Sequence, residues 1–410
     1  MRLDWSRDKR KIVRFASAGV DPQGKLARVR LQFSILSSFD PTMAVVLRNL
    51  GPALLPFLVA AALGVVLSLI AIPVAHWTGM LKRPRGEGRD IHLKPIPQLG
   101  GVALYLSFCA AALLFAPDTR ARWMIVGISG VTTLLFLIDD RLQLPYWVKL
   151  IFQGAPALAA ILLTGKTFQI TYFTLPLIHT VHIGLLAIPL SLFWLMGMQN
   201  TANFLDGLDG LSAGVMAIVA LVLVVAAASA GHHQTQVVVL GAALAGACCG
   251  FLFLNFNPAR IFMGDSGAHF LGMAVGLLSI MGVAKVAVVF ALAVPLVALA
   301  VPIADVAWSA YRRRRQGISA ARADTRHLHH RLVMDLGLTQ RETCIVFYGV
   351  TGILGAVGLT VFGHKKILLV AIVLMVIAVS TALAERLQTA APRVLRGLSA
   401  FLLGRPSTPD

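Results

Sequence analysis

Long apolar runs separated by short polar segments dominate the chain. An α-helix needs about 20 mostly apolar residues to span a membrane. The pattern predicts an all-α fold, a polytopic integral membrane protein with about eleven transmembrane helices. They are expected near residues 52–77, 99–116, 122–138, 147–164, 181–197, 211–230, 237–254, 267–283, 286–309, 344–361 and 366–384.

Composition supports membrane residence and divides the chain into three parts. Apolar residues make up 57% and charged residues 13% of the 410 positions, whereas soluble domains are about 25% charged. We assign 51–385 to the membrane domain, 1–50 to a poorly ordered basic extension and 386–410 to a cytoplasmic tail. A true start at Met43 would remove most of the extension.

The net charge of +18 does not indicate nucleic-acid binding, because the basic residues flank apolar runs. Taken together, the loops after odd-numbered spans (chiefly loops 1 and 9) and the C-terminal tail hold most of the Lys and Arg outside the N-terminal tail, and positive loops stay on the cytoplasmic side. The odd-numbered loops therefore share the cytoplasmic face. The basic tail disagrees with this topology, and the later start resolves the conflict.

An aspartate pair ends the third predicted span. Asp139 and Asp140 follow an apolar run, where ionisable groups are costly and usually functional. Adjacent helical residues point about 100° apart, so the two acids are expected to do different jobs. One could ligate a metal while the other faces the reacting group; the alternative is a solvated helix end.

Loop 5 places polar side chains at every third position. Asn200, Asn203, Asp206 and Asp209 would share one face of a 3₁₀ turn but drift around a regular α-helix. A distorted helix end is therefore expected here. Such a row suits phosphate and Mg²⁺ held through oxygen ligands, although a capped, hydrated loop would look the same.

Loop 7 carries Asn257, Arg260 and Asp265, with Asp265 between Gly264 and Gly267 just before a span. Backbone N–H groups at a helix start favour anionic phosphate. Asp265 could add a metal ligand there.

Basic and histidine residues in loops 1 and 9 are candidates for binding a polyanion. Loop 1 holds His92 and Lys94 on a Pro- and Gly-rich turn. Loop 9 holds Arg326, His327, His329 and His330. The histidines could bind zinc or a diphosphate, and the lack of a fourth metal ligand favours phosphate.

Together and in this order, the motifs resemble the polyprenyl-phosphate N-acetylhexosamine-1-phosphate transferases. The matching segments are HLKPIPQLGG, the aspartate pair followed by Lys149 and Gln153, NTANFLDGLDGLSAG, NPARIFMGDSGAHFLG and DTRHLHHRL. They cover about residues 89–332. In the family, the segment that corresponds to Gly264–Ala268 ends in glycine and serine. Here it ends in Gly267-Ala268, so a contact made by that serine hydroxyl is in doubt.

The resemblance implies an enzyme of the bacterial inner membrane that starts an envelope glycan, such as O-antigen, lipopolysaccharide, teichoic acid or peptidoglycan. Its donor would be a UDP-N-acetylhexosamine, most simply UDP-GlcNAc, and its acceptor polyprenyl (undecaprenyl) phosphate. Mg²⁺ or Mn²⁺ would be held by Asp265 with Asp139 or Asp140, and these three would be the catalytic residues. Lys149, Arg260, the loop 5 residues and the loop 1 and loop 9 residues would bind substrate. A homodimer is also implied.

Two other classes share some of these features. A secondary transporter also has broken helices and buried carboxylates, but here the polar motifs lie at span ends on one face and no internal repeat is visible. A scaffold for other glycan enzymes would leave the clustered aspartates without a role.

Overall fold

The computed structural model describes residues 41–82, 95–175, 178–229, 234–282, 339–360 and 372–373. Within these ranges the fold is helical, with two short hairpin-like pairings. In chain order the helices are α1 Pro41–Leu50, α2 Leu54–Thr78, α3 Gly100–Phe115, α4 Arg120–Leu142, α5 Tyr146–Thr164, α6 Ala187–Leu205, α7 Leu211–Ala227, α8 Thr235–Asn255, α9 Gly264–Met281 and α10 Gln340–Thr360. The strands are β1 Leu81–Lys82, β2 Ile96–Pro97, β3 Tyr172–Leu175 and β4 Ile178–His182.

The chain divides into two units between Arg48 and Asn49. Of the first unit, only the first eight residues of α1 belong to the described ranges. The second unit contains the helices from α2 onward, and everything that follows concerns this unit.

Within the described residues, six helical stretches are long and apolar enough to cross a membrane, which confirms a multi-pass membrane fold. They are Val46–Thr78, Arg120–Leu142, Tyr146–Phe168, Gly184–Leu205, Thr235–Asn255 and Gln340–Thr360. Gly100–Phe115 and Leu211–Ala227 are apolar but shorter. The predicted spans 286–309 and 366–384 lie outside the described residues except for positions 372–373.

The fifth and eighth predicted spans begin at other positions in the structure. The fifth span was expected at 181–197, but α6 covers Ala187–Leu205 because the residues before it form β4. Asn200 and Asn203 consequently lie on an α-helix and not on a 3₁₀ turn, but the expected distorted helix end follows at once, where the N–H of Asp206 donates to the Asn203 carbonyl. Helix α9 begins at Gly264, so Asp265 lies in its first turn.

The strands are the other departure from an all-α prediction. β1 and β2 pair antiparallel with Leu81 opposite Pro97, and β3 and β4 form a second antiparallel hairpin. Both hairpins occur in segments where the apolar pattern is too short to show a strand period.

Helices α3 and α9 approach each other closely at the end of the fold that carries the polar motifs of the sequence. A Cβ on Gly101 would lie 2.3 Å from the backbone nitrogen of Gly267, so neither helix could approach this closely with larger residues. The N–H groups of Gly100 and Gly101 donate to the carbonyls of Phe262 and Met263. The loop after β2 is thereby joined to the segment that leads into α9.

Candidate active site

Polar and charged side chains from four helices meet at one end of the bundle. The ammonium of Lys149, in the first turn of α5, lies 2.6 Å from Asp139 Oδ2 and 2.8 Å from Asp265 Oδ2. Asn203, near the end of α6, donates from Nδ2 to Asp265 Oδ1 at 3.0 Å. These contacts show that loops 3, 5 and 7 share one face, as the sequence predicted.

Asp139 is buried, with 1% of its surface exposed. Its Oδ1 accepts the N–H of Leu144 at 2.9 Å, and its other oxygen faces Lys149. The first of these bonds fixes the turn between α4 and α5. The second places the carboxylate beside Asp265, whose side chain is 32% exposed.

Asp140 has different partners, as the angular offset between adjacent helical residues predicted. Its Oδ1 accepts the N–H of Asp265 at 2.8 Å and the side-chain amide of Gln98 at 2.9 Å, and its Oδ2 accepts the N–H of Ser266 at 3.1 Å. The first N–H groups of a helix lack partners within the helix, and an aspartate commonly supplies them. Asp140 does this for α9 from another helix.

Gly264 is required where α9 begins. Its φ is +69°, which costs little only for glycine, and a Cβ would lie 2.6 Å from Asp140 Oδ2. The sequence reasoning assigned the N–H groups at this helix start to phosphate. For Asp265 and Ser266 that prediction is wrong, because both N–H groups donate to Asp140.

Gln153 and Asn200 form a reciprocal amide pair beside Lys149. Gln153 Nε2 donates to Asn200 Oδ1 at 3.1 Å, and Asn200 Nδ2 donates to Gln153 Oε1 at 3.0 Å. Asn200 Nδ2 also donates to the Met196 carbonyl. This pair joins α5 to α6, so Asn200 holds the two helices together at the edge of the site.

Asp206 follows the last residue of α6 and is half-buried. Within the described part of the chain, its carboxylate makes no hydrogen bond or ion pair. Removal from water raises the pKa of Asp206 well above its usual range; nearby Lys82 opposes this, and repulsion from Asp265, Asp140 and Asp209 adds to it. Burial and the neighbouring acids therefore favour the neutral form of Asp206.

Asp209 and Asn257 bond to each other. Asp209, 5% exposed, accepts Asn257 Nδ2 at 3.1 Å and the N–H of Ala259 at 3.0 Å on the same oxygen. These bonds hold the loop between α8 and α9. Arg260, in that loop, is exposed and its N–H donates to the Leu254 carbonyl.

Several predicted site residues lie outside the described residues. They are His92 and Lys94 of loop 1 and Arg326, His327, His329 and His330 of loop 9. Their phosphate-binding role stays a prediction.

The donor chemistry of the cluster fits a hard divalent cation. Among the described residues, no three His, Cys, Asp or Glu side chains form a metal-binding group. Mg²⁺, however, commonly takes one or two carboxylates and completes its shell with substrate phosphates and water. Asp206 offers a carboxylate that no described residue bonds. The oxygens of Asp139, Asp140 and Asp265 each face a protein donor already, so a metal there would use the second lone pair of an oxygen or replace Lys149.

Sequence reasoning missed three residues of this region. Gln98 donates a hydrogen bond to the Asp140 carboxylate. The ammonium of Lys82 lies 5.3 Å from the centroid of the Phe262 ring, and its positive charge favours the ionised form of Asp206. His269 lies one turn after Asp265 and is 2% exposed. Its ring stacks on that of Phe136, with the ring centroids 3.6 Å apart. Only the spacing of four residues between Asp265 and His269, which places both on one helix face, could have indicated the last.

Comparisons with known proteins agree with this geometry. The model of glycosyl transferase family 4 matches residues 122–283. The chain is 33% identical over 296 residues to a probable undecaprenyl-phosphate N-acetylglucosaminyl 1-phosphate transferase of Bacillus subtilis, covering 71% of this chain and 80% of that one.

Two further relatives cover different shares of the chain. A decaprenyl-phosphate N-acetylglucosaminephosphotransferase of Mycolicibacterium smegmatis is 30% identical over 379 residues, covering 84% of this chain and 92% of that one. A phospho-N-acetylmuramoyl-pentapeptide-transferase of Heliobacterium modesticaldum is 34% identical over 241 residues, covering 55% of this chain and 73% of that one.

Proposed function

Because the chain belongs to the polyprenyl-phosphate N-acetylhexosamine-1-phosphate transferases of glycosyl transferase family 4, we propose that it transfers N-acetylglucosamine 1-phosphate from UDP-GlcNAc to polyprenyl phosphate. Transfer of a sugar 1-phosphate to a polyprenyl phosphate is the activity that this membership carries. The sugar, the UDP donor and the metal are the finer parts of the proposal. The observation that supports it is the convergence of Asp139, Lys149, Asn203 and Asp265 from four helices.

In the proposed reaction, an oxygen of the lipid phosphate attacks the β-phosphorus of the UDP-sugar. A new P–O bond forms, the bond from the β-phosphorus to the bridging oxygen breaks, and UMP leaves with that electron pair. Phosphoryl transfer needs mostly positioning and neutralisation of charge. A phosphate monoester has a second pKa of about 6, so the acceptor needs no strong base.

The residues divide into two roles. Asp265 and Asp139 would hold Mg²⁺ or Mn²⁺. Asp206, which repels the charge of Asp265, would be a further ligand. The bound metal would neutralise charge on the donor diphosphate. Lys149 holds Asp139 and Asp265 in place through its two ion pairs and would contact a phosphate. Asp140 holds the start of α9 and so positions Asp265.

Asn203 and Asp206 would meet the donor at the end of α6. Asn203 bonds Asp265 through its nitrogen, which leaves its amide oxygen available for a ligand. Asn200, Asp209 and Asn257 hold this region in shape through bonds to protein groups. Arg260 and the undescribed residues of loops 1 and 9 would hold phosphates.

The test is release of UMP by the purified protein in lipid. We expect release from UDP-GlcNAc that requires both polyprenyl phosphate and Mg²⁺, and slower release from UDP-GalNAc and UDP-MurNAc-pentapeptide. Release without the lipid would indicate a hydrolase, and a preference for the pentapeptide donor would change the sugar assignment.

We also propose that the site faces the cytoplasm of a bacterial inner membrane and that the enzyme starts an envelope glycan. In a cysteine-free background, cysteines at Gly86 and Gln316 should be protected from an impermeant thiol reagent in intact cells, and one at Gln169 should react. The homodimer stays a prediction that sizing in nanodiscs would test.

A further inference from the structure

The first three turns of α10 contact both polar loops beside the site along one helix face. Gln340, Cys344 and Tyr348 are spaced four residues apart, and residues at this spacing lie on the same side of an α-helix. Gln340 Oε1 accepts Asn257 Nδ2 at 3.0 Å, Cys344 Sγ lies 3.4 Å from the Asp209 carbonyl, and the Tyr348 hydroxyl donates to the Gly210 carbonyl at 2.6 Å.

The contact of Tyr348 with α7 is closely fitted. A Cβ on Gly214 would lie 2.1 Å from Cζ of Tyr348, so only glycine leaves room for the ring. The Gly210 carbonyl also accepts the N–H of Gly214 at 3.0 Å, and the tyrosine hydroxyl takes its second acceptor position. Gly210 has φ +84°, so this carbonyl lies at a sharp turn into α7.

That turn directly follows the acids of loop 5. Asp209 precedes Gly210 and holds the loop that carries Arg260, and Asp206 lies three residues earlier with a carboxylate that no described residue bonds. The geometry points to Tyr348 as a positioning residue: its hydroxyl fixes the Asp206–Gly210 turn in the orientation that receives the donor nucleotide. The part of this inference that concerns the donor rests on the proposed function.

Tyr348→Phe is the direct test, because it removes the hydroxyl and keeps the ring against Gly214. Tyr105→Phe is the matched control. The Tyr105 hydroxyl donates to the Val126 carbonyl at 3.3 Å and lies against Gly130, away from the loop 5 turn. Each variant loses the hydroxyl of a half-buried tyrosine and keeps the ring, although the Tyr105 bond is the longer of the two.

Two readouts separate positioning from general loss of stability. In hydrogen–deuterium exchange, Tyr348→Phe should speed exchange of the peptide covering residues 206–214, whereas Tyr105→Phe should leave it unchanged. In UMP release, Tyr348→Phe should raise KM for the UDP-sugar about tenfold, since one lost contact at an orienting site has effects of this order. KM for the lipid phosphate should not change.

Cys344→Ala should give a smaller rise in donor KM, about twofold, because a thiol is a weak hydrogen-bond donor. An unchanged donor KM in Tyr348→Phe would overturn the inference, whether or not exchange is faster. If the wild-type protein releases no UMP, the proposed function fails, and exchange of residues 206–214 alone decides whether Tyr348 holds the turn.

Discussion

The two ends of the helical bundle handle charge in different ways. At one end, which we call the Asp118 end, the acid Asp118 is paired with Arg122 and also accepts Trp123 Nε1 at 2.7 Å. Arg122 additionally donates to the Ala116 carbonyl at 3.0 Å. One acid and one base therefore form an ion pair with no net charge. Beside it, Gln236 Nε2 donates a hydrogen bond to the Thr119 hydroxyl.

At the opposite end, which we call the Asp139 end, acidic side chains from different helices lie close to one another. Four carboxylates gather there, and Lys149 is the one cation that bonds any of them within the described part of the chain. At the Asp118 end an acid and a base pair four residues apart in one segment, whereas at the Asp139 end two acids from different helices share the ammonium of Lys149. We expect transfer to depend on the second arrangement and not on the first.

The largest expected effect follows from removing charge at the Asp139 end. Asp265→Asn keeps the shape of the side chain but removes a charge that Lys149 and a metal would share. We expect transfer to fall at least about a hundredfold, on the scale of losing one electrostatic contact at a reacting centre. Residual activity should need more Mg²⁺. UMP release measured across a Mg²⁺ titration checks this, and an unchanged Mg²⁺ curve would place the metal on other residues.

Lys149→Met removes the bridge between Asp139 and Asp265 while keeping the length of the side chain. The two carboxylates then lose their shared cation and should separate, so we expect a loss of about thirtyfold or more in kcat. Lys149→Arg keeps the charge but not the compact ammonium, and should recover part of the activity. If Lys149→Met were as active as wild type, the bridge would have no role in transfer.

Asp140→Asn tests whether this acid acts through α9. The amide retains one oxygen, but its nitrogen would face the N–H group of Asp265 or Ser266. We expect a lower melting temperature and a loss of activity of about tenfold, consistent with loss of a helix cap of about 1 kcal/mol. Gln98→Ala should also lower the melting temperature and the activity, but by less than Asp140→Asn. Complete inactivation with unchanged melting would contradict the positioning role and favour a direct one.

Asp118→Asn should have the smallest effect, because the pair it breaks lies at the other end. Asp118 has 75% of its side chain exposed, and exposed ion pairs contribute about 0–1 kcal/mol. Thermal unfolding should shift slightly and kcat/KM should stay within about twofold of wild type. A large loss of activity in this variant would remove the distinction between the two ends.

Local sequence patterns predicted the helical segments well. Motifs at the ends of apolar runs also singled out Asp139 and Asp265, because a carboxylate beside an apolar run is rare enough to be informative, and the structure brings these two acids together on Lys149. The same reasoning could not assign partners. Asp140 caps a helix 125 residues later in the chain, and no local pattern contains that information.

The errors have a common physical origin. The row from Asn200 to Asp209 was expected to share one face of a 3₁₀ turn, yet α6 continues as a regular helix to Leu205 and the row then enters a turn. Tertiary contacts decide this: Gln153 holds Asn200 and Asn257 holds Asp209. The hairpins and Gln98 were missed for the same reason, since their partners are distant in sequence.

We propose that the carboxylates at the Asp139 end bind the divalent cation that transfer requires. Mn²⁺ binding, measured by electron paramagnetic resonance with UDP present, tests it without turnover. The account predicts that wild-type protein and Asp118→Asn bind Mn²⁺ with equal affinity and that Asp265→Asn binds it at least about tenfold more weakly. Equal binding by Asp265→Asn, or weakened binding by Asp118→Asn, would contradict the account.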